Sequence, residues 1–318
     1  MSTLRRLLCT LLLVAATAVG AVAAPSPSFT NGRHRFTADW VMGDRPVTLP
    51  RAFNEDEAFR VTIAELTDSV VWYHKVFDAK GIGNRKVFIE FEGVRQAAEV
   101  YFNGHLMGIH EDGITAFGFD LTPYIKEENN ILDVKVDNDW RYHEQSSGSP
   151  YQWNDRNFNA NYGGITKRVW LHVTDRLHHT LPLYSSFGTV GPYVYATDFD
   201  LEHRAATLHF EAEVENEDLQ PRTFALRAVM TTAFGSRVGE PFATFDATEA
   251  VTLAAGDRRV VSMERRVSGL DFWSWGYGAL YDVDLQLMGA DGKAIDSRTV
   301  TTGFRQTDYG HGLFRLNG

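Results

Sequence analysis

Beyond residue 30 the chain alternates apolar and polar positions with a period of two, and helical periodicity is almost absent. Val87, Ile89 and Phe91 alternate with Phe88, Glu90 and Glu92. Leu132, Val134 and Val136 alternate with Asp133, Lys135 and Asp137, and Val169, Leu171 and Val173 repeat the pattern. Successive side chains of a strand point to opposite faces, so each run predicts a strand with one face in a core. Glu99 to Phe102 and His105 to Gly108 flank Asn103-Gly104, which predicts a type I′ hairpin because both central positions need positive φ. Short strands joined by turns and sealed by a returning strand predict a jelly-roll sandwich. Leu181-Pro182-Leu183 reads as a hinge. After it, Leu208, Phe210, Ala212 and Val214 face one way, while Thr207, His209, Glu211, Glu213 and Glu215 face the other. Tyr281, Val283, Leu285 and Leu287 alternate with Asp282, Asp284 and Gln286, and Asp291-Gly292 supplies a turn. This second set predicts an immunoglobulin-like β-sandwich without the Cys…Trp…Cys signature of antibody domains. The fold class is all-β.

The N-terminus reads as a secretory signal. Arg5 and Arg6 precede an apolar run from Leu7 to Val19, and Ala21-Val22-Ala23 fits a cleavage site. The run is short for a membrane span and is followed by a Pro/Ser stretch. Residues 1–23 are therefore expected to be removed, leaving a secreted or periplasmic bacterial protein with no membrane association. Cys9 is the only cysteine, so the mature chain would carry neither disulfide nor thiol chemistry. Removing Arg5 and Arg6 from 31 basic residues leaves 29 against 41 acidic ones, a net charge of −12. That balance argues against nucleic acid and anionic membranes as partners. Aromatic residues make up 13% of the chain, with 7 Trp, which suits β-sheet cores and sugar-stacking surfaces equally.

Few residues suggest chemistry of their own. His178 and His179 are adjacent and would point to opposite faces of a strand, so no metal site is expected. Gly81-Ile82-Gly83 is a lone G-x-G without a following helix, and no cofactor is expected. Asn54-Glu55 and Asn216-Glu217 read as surface turn residues. The richest polar segment is Tyr151-Gln152-Trp153-Asn154-Asp155-Arg156-Asn157-Phe158-Asn159-Ala160-Asn161-Tyr162. A carboxylate beside aromatic faces can accept sugar hydroxyls. The same asparagines and aspartate can equally satisfy a long turn through local side-chain bonds.

Several fragments, taken in order, resemble glycoside hydrolase family 2, the β-galactosidase and β-glucuronidase family. Tyr73-His74-Lys75-Val76-Phe77 is similar to its "Y-R-K-x-F" strand. Phe91-Glu92-Gly93-Val94 and Val100-Tyr101-Phe102-Asn103-Gly104 resemble its "F-x-G-V … V-Y-x-N-G" core, and Phe119-Asp120-Leu121-Thr122 its "F-D-[LI]-T". Tyr162-Gly163-Gly164-Ile165 and Arg168-Val169-Trp170-Leu171 resemble its closing strand. In the second half, Val214-Glu215-Asn216, Phe272-Trp273-Ser274-Trp275 and Thr302-Gly303-Phe304-Arg305 are similar to further family motifs. The resemblance implies a galactose-binding-like jelly roll over residues 36–180, an immunoglobulin-like sandwich over 183–303 and the start of a catalytic barrel over 304–318. It also implies that Trp273 and Trp275 pack within the second sandwich or against the barrel.

The two catalytic glutamates of the family lie on barrel strands beyond residue 318, so the resemblance implies a β-galactosidase-like lineage in which this chain is inactive alone. A retaining mechanism needs both carboxyl groups about 5 Å apart. The family's loop before the "G-G-I" strand supplies an acid to the sugar. Here gapless alignment puts Phe158 at that position, with Asp155 the nearest acid and Asn157 and Asn159 flanking. Asp155, Asn157 and Asn159 are the candidate substrate-binding residues, acting on a β-glycoside when a catalytic barrel is present. The expected role is the non-catalytic N-terminal part of a secreted hydrolase. A stand-alone carbohydrate-binding protein is one alternative, and a scaffold for a separately encoded barrel chain is another.

Overall fold

The computed structural model describes residues 29–57, 60, 70–139, 141–149 and 162–318. The first sandwich contains β1 (Gly32–Arg35), β2 (Trp40–Met42), β3 (Arg45–Val47), β4 (Arg51–Ala52), β5 (Val70–Phe77), β6 (Lys86–Phe91), β7 (Ala97–Phe102), β8 (His105–His110), β9 (Phe117–Asp120), β10 (Asn130–Asp137), β11 (Gly164–Ile165) and β12 (Val169–Thr174). A four-stranded sheet β1-β12-β6-β9 faces a six-stranded sheet β3-β2-β5-β10-β7-β8, and β4 pairs with β11 at one end. Every apolar run read from the sequence fills the space between them: Val87, Ile89, Phe91, Leu132, Val134, Val136, Val169, Leu171 and Val173 are fully buried. Burying side chains of this size contributes about 1.5–3 kcal/mol each before chain entropy is counted. The Asn103-Gly104 hairpin forms between β7 and β8, both residues at positive φ.

The second sandwich contains β13 (Leu177–His179), one α-helical turn α1 (Tyr184–Phe187), β14 (Pro192–Asp200), β15 (Ala205–Asn216), β16 (Arg222–Thr232), β17 (Pro241–Phe245), β18 (Val251–Leu253), β19 (Arg258–Val267), β20 (Tyr281–Met288) and β21 (Ala294–Thr302). Strand β15 pairs with β13, β14 and β19, while β16, β17, β18, β20 and β21 build the facing sheet. Leu208, Phe210, Ala212 and Val214 meet Val283, Leu285 and Leu287 in its core. A final hairpin pairs β22 (Thr307–Asp308) with β23 (Arg315–Leu316).

The connection between the sandwiches is a packed seam rather than a free hinge. Leu181 and Leu183 are buried against Phe88, whose ring lies on the outer side of β6. Only glycine fits at position 118 beneath them, since a Cβ there would lie 2.4 Å from the Ile89 carbonyl oxygen and 2.8 Å from Leu183 Cδ1. Phe88 thus departs from the expected polar side of its strand: that side is covered by the second sandwich.

Polar groups lock the same seam. Arg298 Nη1 of β21 donates to His172 Nδ1 of β12 at 3.1 Å, and His172 Nε2 lies 2.6 Å from Glu90 Oε2. Arginine has no acceptor, so Nδ1 holds a lone pair and Nε2 the proton that Glu90 accepts. Lys86 Nζ of the first sandwich reaches Asp120 at 2.5 Å and Glu217 of the second at 2.6 Å. Burial works against its charge, but the two carboxylates outweigh it and hold Lys86 above its ordinary range. His179 Nδ1 and its backbone N both bond Asp296 Oδ2 at 2.8 Å. Asn216 and Glu217 are accordingly not surface turn residues. Asn216 is fully buried and its two Nδ2 hydrogens are shared among the carbonyls of Gln220, Leu253 and Ala254, tying the β15–β16 turn to the end of β18.

The seam makes stability depend on pH. Burial pushes both His172 and His178 down from 6.5 to about 4. Their folded-state values are depressed, so the stability they permit is complete above about pH 6.5 and falls as the pH drops toward 4. The loss is on the order of 3 kcal/mol for each imidazole. Urea unfolding midpoints are expected to be level between pH 7 and 8 and to fall steeply from 6.5 to 4.5, and His172→Gln is expected to flatten part of that slope. Midpoints unchanged down to pH 5 would contradict the neutral-imidazole seam.

Candidate functional site

Asp155, Asn157 and Asn159 lie outside the described residues, as does the whole of 150–161. What the structure fixes is the pair of stems from which that loop leaves and to which it returns. On the leaving side, Tyr142 Oη donates to Glu111 Oε1 at 2.6 Å, and the Gln145 backbone N donates to the same oxygen at 2.7 Å. Burial and then the Glu111 carboxylate push the Tyr142 phenol well above its ordinary range. Arg141 forks onto Asp139 at 3.0 and 2.7 Å. Asp112 sits nearby under Thr115 and accepts the backbone N–H groups of Ile114 and Thr115 at 2.9 Å. Burial opposes its charge, yet these donors hold it below the usual carboxylate range, so it is a poor proton donor.

The returning stem is tighter. Gly163 N donates to Asn54 Oδ1 at 2.8 Å, and Phe53 N donates to the Gly163 carbonyl at 2.9 Å. Asn54 is buried for this reason, which corrects its reading as a surface turn residue. Gly164 exchanges both backbone bonds with Arg95, and the Arg95 guanidinium lies 5.4 Å from the Tyr162 ring centre. Beneath it, buried Tyr73 donates to the Arg51 carbonyl at 2.7 Å. Gly164 has φ +139°, and a Cβ there would come within 2.4 Å of Tyr73 Oη and 2.7 Å of the Arg51 oxygen. The Y-R-K-x-F tyrosine and the G-G-I glycine therefore form one device that seats the loop. Next to Arg95, Gln96 is wholly buried with neither amide atom bonded. A buried unbonded amide costs about 1–3 kcal/mol, so it marks a polar spot at the loop base that no spacing or motif singles out.

The other residues noted from the sequence lie elsewhere. His178 and His179 serve different partners, Glu217 and Asp296. Trp275 is 90% exposed at the tip of the Ser274–Tyr277 turn, so of its two expected surroundings, the second sandwich or a barrel, the second sandwich does not bury it. Trp273 is half-buried and receives the final hairpin: Asn317 Nδ2 donates to its carbonyl at 3.0 Å, and the Arg305 guanidinium lies 5.0 Å from its ring centre. Tyr309 and Phe314 of that hairpin are mutually packed and exposed.

Two family models match this architecture: "Glycosyl hydrolases family 2, sugar binding domain" over residues 45–174, and "Glycosyl hydrolases family 2" over residues 193–305. A beta-glucuronidase of Formosa agariphila is 35% identical over 285 residues, covering 86% of this chain and 28% of that protein. A beta-galactosidase of Bacteroides ovatus is 28% identical over 286 residues, covering 88% of this chain and 30% of that protein. A solved beta-glucuronidase from glycoside hydrolase family 2 superposes with TM-score 0.78 at 29% identity, covering 92% of this chain and 33% of that one. The chain thus spans about a third or less of these relatives. A sugar-binding jelly roll joined to an immunoglobulin-like sandwich is a domain pair of glycoside hydrolases. This chain belongs to glycosyl hydrolase family 2.

Gly164→Ala tests the loop seat. It is expected to destabilise the protein by about 2–3 kcal/mol, because neither the Tyr73 hydroxyl nor the Arg51 carbonyl can retreat without losing its bond. Urea unfolding of the variant checks this, and a change under 0.5 kcal/mol would contradict the packing described.

Proposed function

We propose that the chain is the non-catalytic recognition and scaffold part of a secreted, β-galactosidase-like family 2 hydrolase. In this role residues 151–162 would close one wall of a sugar pocket over a catalytic barrel. The support is the pinned loop base. Hydrogen bonds of Gly163, Gly164, Tyr73, Asn54 and Arg95 fix where the chain returns after that segment, which suits a segment that positions polar side chains against a ligand. The packed seam and the hairpin seated on Trp273 would hold the two sandwiches and a barrel in one frame. Acid/base and nucleophile carboxylates would come from that barrel, so the chain alone is expected to show no glycosidase turnover.

In protein that includes a family 2 barrel, in the same chain or supplied as a second one, Asp155→Ala and Asn159→Ala are expected to raise KM or lower kcat. The expected cost is about 1–3 kcal/mol in kcat/KM if hydroxyl contacts are lost. Kinetics on aryl β-galactoside and β-glucuronide substrates decide it, and unchanged constants in both variants would leave the loop as a structural turn.

One observation favours a second reading, carbohydrate binding by the chain alone. On the outer face of the six-stranded sheet Trp72 is 47% exposed and lies 5.8 Å from Tyr101 at 37°. Lys135 bridges to Glu99 at 2.7 Å beside them. An aromatic platform with polar neighbours can stack a pyranose ring. Quenching or enhancement of tryptophan fluorescence by soluble β-glycans, lost in Trp72→Ala, would support it; an unchanged signal would remove it.

A further inference from the structure

A groove of about 470 Å³ runs between the free edge of β14 and the C-terminal end of β21, within the ~300–1,000 Å³ range of small-ligand sites. Glu213 N donates to the Gly191 carbonyl across the β14–β15 pair. Backbone groups point to alternate sides along a strand. Tyr193 and Tyr195 therefore direct theirs to β15, while Val194 and Ala196 turn theirs to the free edge. No strand among the described residues pairs with that edge. Pro192 brings no N–H to it, and the bulge between Thr197 and Asp200 ends it, which leaves it short for the addition of a peptide strand. It suits a small ligand that carries hydroxyls.

An aromatic row stands along one side. Tyr195 lies between His209, stacked at 4.6 Å and 7°, and Tyr193, at 5.2 Å and 28°. Tyr195 Oη donates to Glu211 at 3.2 Å and holds the row in place. Tyr193 is braced from one side by Tyr195, lines the groove and is 58% exposed, so its ring is accessible to a ligand. On the opposite wall Thr301 is exposed; its hydroxyl donates to Asp282 at 2.5 Å and keeps lone pairs for an incoming O–H. Arg305 is the only charged residue among the described residues that line the groove, in a chain of net charge −10. Its guanidinium lies 5.0 Å from the Trp273 ring centre and meets no carboxylate among the described residues. Such a planar fork matches a carboxylate. One open guanidinium, an accessible aromatic ring and an edge of backbone groups call for an anion that bears both hydroxyls and an apolar face.

We infer that this groove is a binding site for a short acidic saccharide, with its carboxylate on Arg305, its hydroxyls on the Ala196 backbone and Thr301, and a pyranose face on Tyr193. The site lies on the second sandwich. None of its lining residues belongs to the 151–162 segment or to the Trp72 face, and every group it uses belongs to this chain.

Isothermal titration and arginine side-chain ¹⁵Nε spectra of the purified chain at pH 7.5 test it. Glucuronate and digalacturonate are the probes, with lactose as the neutral control and acetate as the anion control. Saturable binding of at least one acidic sugar is expected, with the Arg305 Nε resonance moving and with lactose and acetate each about tenfold weaker or more. Arg305→Gln is expected to weaken the acidic sugar about tenfold, and Tyr193→Ala about fivefold. Trp72→Ala is expected to leave binding unchanged, which separates this groove from the sheet-face platform. The wild-type spectra carry the test should a variant fail to fold. An Arg305 resonance unmoved by both acidic sugars would overturn the proposal. Lactose bound as tightly would show that the guanidinium selects nothing, and acetate bound as tightly would reduce the site to a bare charge contact; either result overturns it. Acidic-sugar binding kept in Arg305→Gln and lost in Trp72→Ala would overturn it as well.

Discussion

The hydrogen bond from Arg298 to His172 constrains the rest of the molecule. It joins the two sandwiches only while His172 is neutral, because a proton on Nδ1 would point at a guanidinium that can accept nothing. The surrounding groups fit that requirement. Glu90 accepts from the opposite ring nitrogen, Lys86 crosses the seam to Glu217, and Asp296 is held well below the usual carboxylate range against burial by His179 and Arg298. Buried ion pairs add little net stability over apolar contact, but a broken one leaves a charge stranded. The polar seam thus specifies one docking of two apolar cores more than it strengthens it, while Phe88, Leu181 and Leu183 supply the burial.

Much of the fold was legible because β-sandwich cores write themselves into alternate positions. The runs through Val87, Leu132, Val169, Leu208 and Tyr281 all point inward, and Asn103-Gly104 turns where positive φ is needed. The departures cluster where a second surface covers the expected outer face. Phe88 and Lys86 lie on a strand of the first sandwich but are buried by the second, which a period of two within one strand does not reveal. Asn54 and Asn216 looked like turn residues because asparagine favours turns. Each is instead a buried bracket between distant segments, a role set by tertiary neighbours and not by local sequence.

The candidate site was legible only in part. The family-like tyrosine, glycine pair and closing strand led to the loop base, and there Tyr73, Gly163 and Gly164 form a seat that admits no Cβ at position 164. Gln96 and the Glu111–Tyr142 contact carried no signal, since a single buried glutamine or an acid in a polar stretch has no characteristic spacing. The paired histidines were correctly separated by strand alternation. Their unbonded nitrogens, however, become visible only once Glu217 and Asp296 fix which ring atom holds the proton.

If the two sandwiches act as one frame for a sugar pocket, they must unfold as one body while the seam is intact. Differential scanning calorimetry of the purified chain at pH 7.5, compared with Arg298→Met, measures this directly. The wild type is expected to give a single transition whose calorimetric and van't Hoff enthalpies agree, and the variant two resolved transitions. Two independent transitions already present in the wild type at that pH would contradict the account.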